Sequence, residues 1–445
     1  MIVQEGGDGG GGAIRTCLWG QAWASGPTIN VGKSGDEVKP FANLADKANK
    51  LAEAHGTDRE RAMVHALQLR YEEGGGGKPG ALALAKAMTT LAGQYPADDE
   101  IAVMAADAWL MTDDNNEEWK LSAGMAMPLL EVVLTRRPDY TPAIYFYIHA
   151  TEIADLPAEA EPYADRPAAL ALRASHLIHM PSHTYYWVGR YQDAADTSVC
   201  LVALDVKNAH ALGLPPPDAV WSLSYHAHNV TYGLGGALEA GDATTALMLG
   251  RPLVGRSQKR DAAGLFSQFL AANGYFGLAR FADPAEVLAL PVPKLPILTA
   301  AWHYARGEAL ARKGDDAGVR REAGAIEGIK GKLSADDGSA QAQQMTFIAR
   351  DVLAGRAAML EKRPTESANA FTRAAEQQEG DDFSAVPDPP AWYYPVGRAY
   401  AQALLAAGDR TGARRKAEAA LKYRAKDPGT LALLRGMDET MATRL

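Results

Sequence analysis

The feature that most constrains this chain is a turn that recurs five times. The strings WVGRYQDAAD, LEAGDATTAL, ARKGDDAGVR, LEKRPTESAN and LAAGDRTGAR align on their turn residue. In each, a small or apolar residue follows the turn by five: Gly189 to Ala194, Gly241 to Ala246, Gly314 to Val319, Arg363 to Ala368, Gly408 to Ala413. Glycine there takes the left-handed conformation that ends a helix. The small residue lets the next helix pack closely on the last. Around these joints apolar positions recur at three and four residues, the period of an amphipathic helix. Gly-Asp and Pro-Asp pairs punctuate them, and no stretch alternates as a strand. An all-α chain is expected. With 47% hydrophobic and 22% charged residues over 445 positions, it can bury a large core and is not disordered as a whole.

The joints resemble the tetratricopeptide repeat (TPR), whose helix pairs stack into a superhelix. The resemblance implies a TPR-like α-solenoid, a right-handed superhelix of stacked antiparallel helix pairs. The joints lie 52, 73, 49 and 45 residues apart, longer than the regular period of about 34, so helices or connections are extended. One solenoid over 13–445 is expected behind a Gly-rich segment, 1–12, with a motif-bearing middle at about 141–255 and C-terminal repeats at about 296–445. Earlier in the chain, DEVKPFANLADKANKLAEAHG pairs with DRERAMVHALQLRY, and PGALALAKAMTTLAGQYP with DDEIAVMAADAWLMT. Two further helices are broken at Pro138 and Pro142. The runs Gly9–Gly12 and Gly74–Gly77 fit neither pattern; poly-Gly is costly to order, and no function is assigned to them.

Charge and hydropathy remove several function classes. The formal net charge is −9, against a nucleic-acid groove, which needs clustered Lys and Arg. No apolar run approaches the ~20 residues of a membrane span. The opening MIVQEGGDGGGG shows neither the charged nor the apolar region of a signal peptide. Cys17 and Cys200, the two cysteines, form no metal knuckle and no disulfide framework. Neither a P-loop, a GxSxG elbow nor a Rossmann fingerprint occurs.

Three of the ten histidines crowd into HLIHMPSH: His176, His179 and His183. Pro181 suits the first turn of a helix, and Met180 before it is expected to be extended. His176 then ends one helix, His179 lies in the joint, and His183 in the first turn of the next. Within YFYIHATE, His149 and Glu152 are three apart, on one helical face. His228 sits in the later helix WSLSYHAHNVTYGL.

The strings CLWGQAWASGPTIN, YFYIHATE, HLIHMPSHTYYWVGRYQDA, YHAHN and AWYYPV occur in this order. Together they resemble a family of bacterial TPR proteins marked by a His-Met-Pro-Ser-His motif. The resemblance implies an all-α repeat fold, with no settled enzymatic activity. Members often carry an export signal, so a periplasmic or extracellular location is open to this chain. The motif residues carry over as His149, Glu152, His176, His179, Pro181, Ser182, His183 and His228. Tyr145 and Thr231 stand where related sequences tend to have histidine, and the helical segment before CLWG is short and Gly-rich here.

Imidazole and carboxylate suit Zn, Cu, Fe or Ni, and a set of His with one Glu would complete a four-coordinate site. The candidate ligands are His149, Glu152, His179, His183 and His228, with His176, Ser182 and Tyr145 around them, and a divalent transition metal (Zn or Cu) as the implied cofactor. The same residues also suit a purely structural role: Ser182 capping the helix that Pro181 starts, His149 and Glu152 as a buried polar pair. Acid–base chemistry is a third use. The aromatic clusters YYW (185–187) and WYY (392–394) are expected on helices and in the core. Cys17 is expected to pack as a small hydrophobe. The basic stretch 414–426 is expected to be the solvated face of a terminal helix.

Three functions follow. The first, and the one the repeat favours, is a non-enzymatic scaffold that binds a protein or peptide partner or self-associates. The second is a metal-binding protein or metal-dependent enzyme. The third is a subunit of a head-to-tail polymer.

Overall fold

A computed structural model describes the chain except residues 1–10, 73–75, 113–115, 167–174, 216–218, 224, 259–263, 330–339, 381–388 and 443–445. The described residues are all-helical, with no strand beyond a single antiparallel bridge between Thr28 and Val31. None of the described helices is long and apolar enough to cross a membrane. The chain divides into two compact units, Met1–Leu170 and Ala171–Leu445.

The first unit contains α1 (Gly11–Ser25), α2 (Lys39–His55), α3 (Asp58–Glu72), α4 (Lys78–Gln94), α5 (Asp99–Leu110), α6 (Asn116–Arg136), α7 (Thr141–Ile153) and the short α8 (Glu161–Ala164). Each helix from α1 to α7 packs on its neighbour in sequence. The breaks fall where the prolines put them: α6 ends before Pro138, and Pro142 sits in the first turn of α7. Asp98 caps α5, accepting from the backbone N–H groups of Glu100 and Ile101 at 3.1 Å. Of the Gly runs, residues 9, 10, 74 and 75 lie outside the described residues. Gly11 and Gly12 open α1, Gly76 is left-handed at φ +84°, and Gly77 precedes α4. A buried carboxylate, Asp107 on α5, accepts from Trp23 Nε1 at 2.9 Å, and burial pushes its pKa up to about 6.

The second unit contains α9 (Ser175–His179), α10 (Pro181–Trp187), α11 (Tyr191–Ala211), α12 (His226–Ala240), α13 (Ala243–Ser257), α14 (Leu265–Phe281), α15 (Pro284–Leu288), α16 (Pro296–Arg312), α17 (Asp316–Glu327), α18 (Ala340–Leu360), α19 (Pro364–Glu379), α20 (Val396–Ala406), α21 (Arg410–Tyr423) and α22 (Pro428–Ala442). The five joints all fall here. Gly189, Gly241, Gly314 and Gly408 have φ of +78°, +82°, +75° and +89°. At the fifth joint the left-handed residue is Lys362, φ +60°, one position before Arg363. The five small residues that follow, Ala194, Ala246, Val319, Ala368 and Ala413, are all buried. Three of the joints add an aspartate cap: Asp242, Asp315 and Asp409 accept from the N–H of Thr245, Gly318 and Gly412. At those three, glycine stops one helix and aspartate starts the next, so the joint is written in two adjacent letters.

Three expectations need correction. The WYY cluster is core but not helical. Trp392, Tyr393 and Tyr394 are buried in an irregular segment before α20, where Trp392 packs on Phe276 and Tyr304 at 5.0 Å. Pro395 keeps this segment from joining the helix that follows it: it lacks a backbone donor and biases Tyr394 toward extended backbone. Cys17 is exposed, as is Cys200, and both are free thiols. Within the basic stretch 414–426, Arg424 is 2% exposed rather than solvated. It lies one residue beyond α21, where the chain turns inward.

Candidate metal centre

The HMPSH motif folds into two short helices joined at a single residue. Met180 is the joint, and it keeps helical angles, φ −52° and ψ −38°, rather than the extended backbone expected before proline. Proline's missing N–H falls in the first turn of α10, where no helical partner is required. The helical path therefore runs on through Met180 with only a change of register. His179, the last residue of α9, and His183, in the first turn of α10, stay four residues apart on one face. Ser182 is not the helix cap. Its hydroxyl donates to the carbonyl oxygen of His179 at 2.7 Å.

A third imidazole arrives from α12, where His228 occupies the first turn. The Nε2 atom of His183 lies 2.9 Å from Nε2 of His179 and 3.2 Å from Nε2 of His228. One nitrogen from each of the three rings falls within 4.8 Å of the others. Tetrahedral zinc with Zn–N bonds of about 2.0–2.1 Å places its ligand nitrogens about 3.3 Å apart. The two spacings from His183 are within about half an ångström of that, and all three nitrogens lie within 4.8 Å of one another. A neutral imidazole nitrogen carries either one proton or one lone pair. His183 Nε2 can therefore make one good hydrogen bond to these two neighbours, whereas a cation between the rings would accept all three lone pairs.

The outer atoms of two of the rings are held as in a ligand set. With Nε2 facing the centre, His183 Nδ1–H donates to the Tyr232 hydroxyl at 2.7 Å. His179 Nδ1 lies 3.3 Å from Ser182 Oγ. Such partners fix the tautomer and raise ligand basicity. His179, His183, Ser182 and Tyr232 are buried, and His228 is half-buried. His176 stands beside the group, stacked on Tyr225 at 3.8 Å, with its ring 5.9 Å from His179 and 6.3 Å from His228.

Of the residues singled out from sequence, the structure thus gathers His179, His183 and His228, with Ser182 and His176 around them. His149, Glu152 and Tyr145 belong to α7, in the first unit. There His149 is buried, with the edge of Tyr145 packed on it at 4.9 Å, and Asn30 Nδ2 donates to the Tyr145 hydroxyl at 3.1 Å.

Sequence reasoning missed two groups. Tyr232 was legible in principle: it lies one helical turn after His228, on the same face. The second is a buried cluster behind the centre, where His226 Nδ1 lies 3.1 Å from Asp205 Oδ2 and Asn229 Nδ2 donates to the same oxygen at 2.8 Å. It ties the start of α12, on either side of His228, to α11. Nothing in the linear spacing of Asp205 and His226 marks them as a pair.

No protein-family model matches the chain, and no curated protein is similar to it.

Proposed function

We propose that this chain is a metal-binding protein on a TPR-like helical repeat, and that His179, His183 and His228 hold a divalent transition ion. The observation that carries the reading is the approach of three imidazole nitrogens to 2.9 and 3.2 Å, with the far side of the His183 ring hydrogen-bonded to Tyr232. The donor set is all nitrogen, which suits Zn, Cu or Ni better than a hard cation. Three protein ligands leave a fourth coordination position for water or substrate. The repeat supports the TPR-like description through its five left-handed turns, three of them followed by a capping aspartate, and the buried small residues after them.

The reading is tested by elemental analysis of protein purified without chelator, and by thermal melting with Zn or Cu added. About one ion per chain is expected, with uptake abolished in the His179→Ala, His183→Ala double variant. Metal-free protein whose melting temperature is unmoved by either ion overturns it.

One observation favours a second, compatible reading as an interaction scaffold. Leu121, Met125 and Val132 on α6 are 74%, 49% and 52% exposed and fall at helical spacing. That apolar stripe, rather than an aromatic groove, is what a partner would cover, because the large aromatics of the two clusters are mostly buried.

A further inference from the structure

The centre is supplied from two parts of the chain: α10, with α9 just before it, brings His183 and His179, and α12 brings His228 and Tyr232. Their relative position decides whether the three nitrogens meet. The loop after α21, residues 424–427, touches both helices, although it lies more than 180 residues downstream of them.

The contacts are close and specific. The Tyr191 hydroxyl, just after α10, donates to the carbonyl oxygen of Ala425 at 2.5 Å. A Cβ on Gly189 would sit 2.6 Å from that same oxygen, so only glycine lets the loop approach the α10–α11 joint. The Arg424 guanidinium lies 5.7 Å from the Tyr186 ring and 5.8 Å from the Trp187 ring, both on α10. Its Nε is 3.1 Å from Oε1 of Glu239 on α12, and both side chains are essentially excluded from solvent. From Arg424 the path to the ligand is short. Tyr186 meets Tyr232 edge-on at 6.2 Å, and Tyr232 holds His183. The loop itself is pinned, because Asp427 caps α22 through the Thr430 N–H at 2.7 Å and pairs with Arg398 at 2.8 Å.

A buried ion pair of this kind is a poor net stabiliser. Desolvation of both charges offsets most of their attraction, and the Arg424–Glu239 contact is not aligned as a hydrogen bond. What such a pair supplies is a defined geometry.

Resting on the metal reading above, we infer that the 424–427 loop is a clamp that holds α10 and α12 at the spacing the three-imidazole centre needs, with Arg424 as its positioning residue. Metal affinity is then set partly by a residue that touches no ligand.

The test uses the full chain and Zn competition against a chromophoric chelator, with the visible spectrum of the Co(II)-loaded protein as a readout of ligand geometry. Arg424→Met is expected to weaken Zn binding tenfold or more and to shift the Co(II) spectrum. The Glu239→Met, Arg424→Met double variant removes both charges, so it is expected to keep the apo melting temperature while still binding Zn at least tenfold more weakly. Wild-type affinity and an unchanged spectrum in the double variant overturn the clamp. If the wild-type chain itself takes up no metal, the functional reading falls, and the clamp is judged by hydrogen exchange of residues 181–187. Faster exchange in the double variant at an unchanged melting temperature supports it, and equal exchange overturns it.

Discussion

Tyr232→Phe isolates one hydrogen bond of the proposed centre. Phenylalanine keeps the ring contacts, which lie 4.1 Å from His183, 4.9 Å from His179 and 5.3 Å from His228. What it loses is the hydroxyl 2.7 Å from His183 Nδ1. Outer-shell partners of this kind are worth about 10–100-fold in metal affinity, which is about 1.4–2.7 kcal/mol. Tyr232 and His183 are 0% and 2% exposed, so water does not readily replace the hydroxyl and the upper half of that range is expected. Ser182→Ala removes a longer contact, 3.3 Å from His179 Nδ1, and should cost less. The assay is Zn affinity by chelator competition at fixed pH, with apo stability measured in parallel. Tyr232→Phe and Ser182→Ala variants that both bind Zn within twofold of wild type would refute the claim that the outer ring atoms are held for ligation. A loss confined to apo stability would make Tyr232 a packing residue only.

Two further outcomes can be checked directly. Burial raises Asp107 from its ordinary value near 3.8 to about 6, so the neutral acid is favoured by folding. Its stabilising contribution is full below pH 3.8 and is lost as pH rises through 6, by up to about 3 kcal/mol. Urea titrations of Asp107→Asn should lack that component of the pH dependence, and identical wild-type and variant slopes between pH 4 and 7 would count against it. The α6 stripe gives the second: if it is a partner surface, Leu121→Glu with Met125→Glu should abolish any self-association seen by analytical ultracentrifugation while changing stability by less than about 0.5 kcal/mol, because both side chains are exposed.

The repeat was legible because its joints are local. A Gly-Asp pair needs a left-handed turn and a capped helix start, and both demands act within a few residues. Gly241, Gly314 and Gly408 therefore adopt the predicted turn whatever packs around them. Gly189 has the same φ but a second cause, the carbonyl of Ala425, which no local pattern reveals. The imidazoles divide the same way. His179 and His183 are four apart across one proline, so helical geometry brings them together, and the error at Met180 changes the path without changing the face. His228 was identified by its motif, and its convergence with the pair depends on how α12 packs, which is fixed by Asp205, Glu239 and Arg424.

Those three are charged residues at buried positions, and composition reads charge as surface. Arg424 shows why the inference failed. It lies in a run of Lys and Arg whose other members are exposed or half-buried, and only the turn after Tyr423 carries it inward onto Tyr186 and Trp187. A sequence exposes the ligands of such a centre more readily than the residues that aim them. Ligands must be one of a few chemical types, whereas an aiming residue needs only to fit between two helices. The geometry of the centre is accordingly a property of the second unit as a packed whole, and substitutions at Gly189, Glu239 or Arg424 are as informative about it as substitutions of the histidines themselves.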